Sequence, residues 1–229
     1  LSYIFISYLC QISNRNMKTR KIRTALYNVL PGEKAHALMA PRPKYIEGIE
    51  GVHPCPPVNS AILALIVPFE NELALPLIKR VNRGKYHGGQ IAFPGGKMEK
   101  EDADALQTAL RECHEEIGVP EEKVSILGVL SDIYIPLSNF NITPIVGTTL
   151  QLPDFILSQD EVEKVILVKL RDLFDDRNKT THSFVRHDHK IIAPGYKIGE
   201  NFIWGATAMI IAELEQLMKT NTFNHLGKL

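Results

Sequence analysis

The sequence predicts an α/β fold, a mixed β-sheet covered by helices. Three observations carry this reading. Apolar runs of strand length recur from residue 61 onward, two longer stretches repeat apolar residues every three or four positions, and strands outnumber and interleave with helices. A chain of 229 residues with 45% apolar and 23% charged side chains suits one folded domain with extensions, which excludes a wholly disordered or collagen-like chain. Lys and Arg total 26, as do Asp and Glu, so no global charge argues for nucleic acid or an anionic membrane surface. The cysteines (Cys10, Cys55, Cys113) are widely spaced and suit reduced thiols in a cytoplasmic protein better than a disulfide framework.

The opening LSYIFISYLCQI is apolar but too short to span a bilayer, which takes about 20 residues. It also lacks the basic start of a signal peptide. Residues 1–16 read as an upstream extension without a role, with a surface anchor as the alternative. Residues 17–58 read as an irregular basic preamble, proline-rich from Pro41 to Pro57. The domain proper is expected over 59–219, followed by a tail, 220–229. Its first strand covers 61–67, bounded by Asn59 and Pro68, and strands at 73–78, 124–130, 142–150 and 162–168 continue the series. A late hairpin is expected from 183–185 and 190–193. The helices are placed at 102–117 and 206–219, the second from the spacing of Ile210, Ile211, Leu214, Leu217 and Met218.

The helix over 102–117 carries the chemistry. Asp102 and Asp104 suit its N-terminus, Gly118 suits a left-handed stop, and Pro120 prevents continuation. Leu106, Leu110, Cys113 and Ile117 fall on a buried stripe, leaving Glu112, Glu115 and Glu116 on one outward face. Nine acidic side chains stand against two basic ones between Glu99 and Glu122. Such crowding is unfavourable for the helix alone, and a hard divalent cation reverses the sign. Arg111 is the base placed to fork onto one of these carboxylates.

A Gly95-Gly96 turn, an acidic helix start and then Arg111-Glu112-Cys113-His114-Glu115-Glu116-Ile117-Gly118 together resemble the Nudix hydrolases, whose signature reads G-x5-E-x7-R-E-U-x-E-E-x-G-U with U apolar. Arg111, Glu112, Cys113, Glu115, Glu116, Gly118 and Val119 match its second half. Fourteen residues separate Gly96 from Arg111 where the pattern has thirteen, and the mid-box acid position falls on Ala103, between Asp102 and Asp104. The resemblance implies an α/β/α sandwich and a Mg²⁺- or Mn²⁺-dependent hydrolase of nucleoside diphosphate derivatives. It assigns Glu112 and Glu116 to the metal, Glu115 to the metal or to proton transfer, and Arg111 to holding the cluster.

The segment just upstream, 76–96, is similar to the coenzyme A diphosphatase branch of that family, with the motif L-L-T-x-R-S-x-x-L-R-x-H-x-G-Q-[IV]-x-F-P-G-G. Arg80, His87, Gly89, Gln90 and Phe93 through Gly96 match in register; Pro76, Ile78, Val81, Gly84 and Lys85 depart from it. Lys85 keeps the charge of the arginine it replaces but not its fork. By this resemblance Arg80, Lys85, His87, Gly89, Gln90, Gly95 and Gly96 contact the substrate. The expected reaction gives adenosine 3′,5′-bisphosphate and 4′-phosphopantetheine or an acyl form. The alternatives are another diphosphate derivative (ADP-ribose, a dinucleotide or a nucleoside triphosphate) and a non-catalytic diphosphate sensor. The expected partner is a small molecule, without nucleic acid or stable membrane insertion; a homodimer stays open.

In the same family a loop acid can serve as general base, and Glu161, after the loop at 153–158, is that candidate here. His182, His187, His189 and Asp188 lack the spacing of a usual zinc site. Cys113, Phe93 and Trp204 read as packing. The terminal Gly227-Lys228-Leu229 is one residue away from the Ser-Lys-Leu peroxisomal address, which makes the peroxisome the alternative to a cytoplasmic location.

Overall fold

The structure is a computed structural model that describes residues 19–42, 55–82, 89–186 and 189–223. In chain order the elements are α1 (19–26), α2 (Glu33–Met39), β1 (Val58–Phe69), β2 (Glu72–Arg80), β3 (Ile91–Ala92), β4 (Gly95–Lys97) and α3 (Ala105–Ile117). They continue with β5 (Ser125–Val129), β6 (Ile133–Ile135), β7 (Phe140–Thr148), β8 (Val162–Lys169), α4 (Leu170–Leu173), β9 (Lys179–Arg186), β10 (His189–Ile198), β11 (Asn201–Trp204) and α5 (Ala206–Phe223).

The main sheet is mixed, in the order β3-β2-β1-β7-β5, with β4 on β1, β6 on β7 and β8 on β2. The long β1 lies at its centre, antiparallel to β2 and β4 and parallel to β7. Both faces of β1 are covered, which is why 61–67 reads as a continuous apolar run rather than an alternation. Ala61, Leu63, Leu65 and Val67 pack with Ala109, Leu110, Cys113 and Ile117 of α3. Ala64 and Ile66 face the other way, into a core shared with α1 and with Ile210, Ile211, Leu214 and Leu217 of α5. A smaller antiparallel sheet, β11-β10-β9, lies on that second side. The expected α/β/α sandwich is therefore present.

Residues 17–58 are not irregular throughout. Helices α1 and α2 bury Ile22, Ala25, Leu26, Ala35 and Met39. The basic composition hides this because the inward apolar residues are few and others, such as Tyr27, Val29 and Leu38, are exposed. A polar latch holds the segment: the fully buried carboxylate of Glu213 on α5 accepts from Gly32 N (2.9 Å), Ser131 Oγ (2.6 Å) and His36 Nε2 (2.9 Å). Helix α3 starts later than 102 because Asp104 is its N-cap, its side chain accepting from Gln107 N. The late hairpin is longer than 183–193, and α5 runs past 219. No helix among the described residues is long and apolar enough to cross a membrane. Residues 1–16 and Gly227–Leu229 lie outside the described residues, so the anchor and targeting readings have no structural counterpart here.

Candidate active site

The site forms where α3 crosses β4. Gly95 and Gly96 run antiparallel to Ile62 and Ala61 of β1, and the helix lies directly over them. A side chain at Gly95 would meet the β1 backbone, with Ile62 Cα at 2.6 Å. A side chain at Gly96 would instead enter the carboxylate of Glu112, whose Oε2 would be 2.6 Å away. One glycine thus lets two strands meet, and the other lets an acid lie flat on the backbone.

The three glutamates do not share one outward face. Glu116 is 1% exposed, the side chain of Glu112 is 14% exposed, and that of Glu115 is 57% exposed. The correction follows from helix geometry: Glu116 lies three residues after Cys113, on the flank of the buried stripe, while Glu115 is about 100° further round. Glu116 turns toward β4, its Oε2 accepting from Gly95 N at 2.9 Å and its Oε1 lying 3.0 Å from Arg80 Nη2. That second approach is out of line, so Oε1 is buried without a directed hydrogen bond. Burial raises the Glu116 carboxyl to about 7 against the pull of Arg80, and the nearby carboxylates of Glu112 and Glu161 add to the rise. Burial likewise raises Glu112, partly offset by Arg111.

Arg111 does more than orient one acid. Its Nε and Nη2 form a fork on Asp102 (3.0 and 2.9 Å), and its Nη1 donates to Glu112 (2.9 Å) and Glu115 (3.0 Å). Asp102 is 7% exposed and also accepts from Glu99 N and Thr108 Oγ1. The Arg111 guanidinium, chiefly, holds its carboxyl far below the usual carboxylate range. Sequence reasoning left Asp102 only as a helix-start charge. The extra residue between Gly96 and Arg111 was the available signal: the mid-box position falls on Ala103 counted back from Arg111 but on Asp102 counted forward from Gly96, and Asp102 and Asp104 divide the work between arginine and helix cap.

Arg80 comes in from β2, where the pairing with β8 shifts register between Lys79 and Arg80, the kind of irregularity that re-aims a side chain. Its Nη2 donates to Gly95 O at 2.8 Å. Its backbone pairs with the residues that end the upstream motif, Arg80 N donating to Gln90 O and Gly89 N to Arg80 O. Lys85 and His87 lie outside the described residues, as do His187 and Asp188. Glu161 reaches the site on the other side of Arg80, its carbonyl accepting from Val81 N, and its charge is felt by both Glu112 and Glu116. Cys113 is buried, and burial pushes its thiol up to about 12, as suits packing rather than nucleophilic attack. Trp204 packs edge-on against Phe184, and His182 stacks on Phe202.

Among the described residues no three His, Cys, Asp or Glu side chains converge as a ready-made ligand set. The donor chemistry nonetheless fits a hard cation. Glu116 Oε1 is a buried oxygen lacking a directed partner, Glu112 lies beside it on Gly96, and both carboxyls are raised by burial and by neighbouring carboxylates, Glu161 among them. Oxygen donors of this kind suit Mg²⁺ or Mn²⁺.

Residues 59–187 match the model of the NUDIX domain. Among curated proteins, the Enterobacter sp. (strain 638) protein named "Uncharacterized Nudix hydrolase NudL" is 34% identical over 161 residues, covering 69% of this chain and 82% of that protein. The protein of the same name from Pectobacterium atrosepticum is 35% identical over 158 residues, covering 68% and 80%. Among solved structures, the NUDIX hydrolase from Nitrosomonas europaea shares 20% identity with a TM-score of 0.47, covering 77% of this chain and 76% of that one.

Proposed function

The chain belongs to the Nudix hydrolase family, and on that premise we propose that it cleaves the diphosphate of coenzyme A or its derivatives. Enzymes of this family act on the pyrophosphate bond of nucleoside diphosphate derivatives and use divalent metal ions. The observation that carries the finer reading is the Arg80–Gly95–Glu116 junction. It sets a cation suited to phosphate against a carboxylate suited to metal, with one glycine peptide between them. The Arg80–Gln90 segment that delivers this cation is also the one similar to the coenzyme A branch, and Arg83, Lys85 and His87 extend its positive character toward a substrate with a diphosphate and a 3′-phosphate.

Glu112 and Glu116 would hold the ion, with Glu115 as a further candidate; when bound, it polarises a phosphoryl oxygen and lowers the pKa of the attacking water. Arg111, locked on Asp102, keeps Glu112 and Glu115 in place before substrate arrives. Glu161 or Glu115 takes the proton of the attacking water. Arg80 and Lys85 neutralise the phosphates. The products are then adenosine 3′,5′-bisphosphate and (acyl-)4′-phosphopantetheine.

Incubating the purified protein with coenzyme A and Mg²⁺ or Mn²⁺, and identifying products by mass, tests this directly. Turnover of ADP-ribose, a dinucleotide or a nucleoside triphosphate in preference to coenzyme A would overturn the substrate assignment and leave the hydrolase. Metal-independent binding without turnover of any of them would favour a sensor.

A further inference from the structure

Glu116 has two oxygens in unequal situations. Oε2 is committed to the Gly95 N–H, whereas Oε1, among the described residues, has Arg80 Nη2 near it but out of line. The same Nη2 makes its directed bond to the Gly95 carbonyl, at 2.8 Å. The contrast with Arg111 is informative: that guanidinium is locked by in-line bonds onto Asp102, Glu112 and Glu115, while Arg80 leans on its acid by charge alone. With 31% of its side chain exposed, Arg80 also has a route outward from the strand irregularity at Lys79/Arg80.

From this we propose that Arg80 is a displaceable counter-ion, its guanidinium competing with the catalytic cation for Glu116 Oε1 and turning out toward the substrate diphosphate once that oxygen is taken. The proposal rests on the divalent-metal reading given above. Two cations cannot share one buried carboxylate oxygen without strong repulsion, and Arg80 is the one free to move. Its hydrogen bond to the Gly95 carbonyl does not involve Glu116, so that bond serves as a pivot. Metal binding and diphosphate binding are thereby coupled through one side chain: the ion that activates the water also releases the arginine that grips the phosphates.

Phenylglyoxal labelling of arginines, mapped by peptide mass with and without Mn²⁺, reads the displacement. Loss of the free Mn²⁺ signal in electron paramagnetic resonance reads binding separately. In the wild-type protein, Mn²⁺ is expected to accelerate labelling of Arg80 by about fivefold or more, the lower end of ordinary coupling between sites. Arg111 serves as the internal control and should stay protected. Bound Mn²⁺ with unchanged or slowed Arg80 labelling overturns the displacement and leaves the metal reading intact. Failure to bind Mn²⁺ at all overturns both. In Glu116→Gln, if folded by circular dichroism, Arg80 should label rapidly with or without the ion; slow labelling there also counts against the proposal.

Discussion

Replacing Glu116 by Gln should reverse part of the protein's dependence of stability on pH. A carboxyl that moves from 4.5 in the unfolded chain to about 7 in the fold binds its proton more tightly when folded. Its ionisation therefore opposes folding, by about 3 kcal/mol in full. The cost is absent well below pH 4.5, grows between 4.5 and 7, and is complete above that range. In Glu116→Gln the side chain keeps its shape and an acceptor for Gly95 N, but cannot ionise. The difference in unfolding free energy, wild type minus variant, should thus fall by roughly 2.5 kcal/mol between pH 5 and pH 8. Urea unfolding of both proteins in chelator at the two pH values measures it. Because the measurement is a difference, titrations at Asp102 and Glu213 largely cancel. A difference that stays constant within about 1 kcal/mol would refute the argument that burial governs Glu116. Mg²⁺ should restore wild-type stability at pH 8 and leave the variant unchanged.

Asp102→Asn should lower kcat about 10- to 100-fold, the usual cost of removing a partner that orients a ligand-bearing residue, with the α-helical circular dichroism retained; an unchanged kcat would make the Arg111 fork merely structural. Gly95→Ala and Gly96→Ala should part company. The first meets β1 backbone and should unfold or fail to express, whereas the second meets only the movable end of Glu112 and should lose activity with a near-normal melting temperature; equal melting temperatures would contradict the packing. Glu213→Ala leaves Gly32 N, Ser131 and His36 without their shared acceptor, and should cost about 3 kcal/mol by urea unfolding. Its carboxyl is held below the ordinary value chiefly by His36, Ser131 and Gly32 against burial, so the stability it supplies is present above that value and fades as the pH falls through its lowered one.

The periodic features of the sequence translated well into structure, and its departures from periodicity did not. The C-terminal end of α3 was legible because its cap is local chemistry: Gly118 adopts a left-handed φ of 71° and its N–H closes on His114 O, whereas the start was placed early because either Asp102 or Asp104 suits an N-terminus and Asp104 is the cap. The strands around β1 were legible because burial on both faces leaves unbroken apolar runs. Glu116 was misread for the opposite reason. An acid beside a buried stripe is assigned to solvent unless its partner is known, and that partner, Arg80, comes from a strand 36 positions earlier, re-aimed by an irregularity that no local pattern announces. Helix α2 was hidden similarly, since its anchor is a carboxylate on α5, at Glu213, and α1 packs by Ile22, Ala25 and Leu26 into the core that α5 shares. In both places a buried acid on one helix is answered by a group distant in sequence. The two acids differ in how they are satisfied, and that difference separates their roles. Glu213 is fully hydrogen-bonded and held below its ordinary value, so it fastens the fold. Glu116 has one buried oxygen left without a directed bond and is raised to about 7. An ionised Glu116, which Arg80 meets only out of line, is thus costly to the fold until another cation takes that oxygen directly, which is the property a metal-binding carboxylate needs.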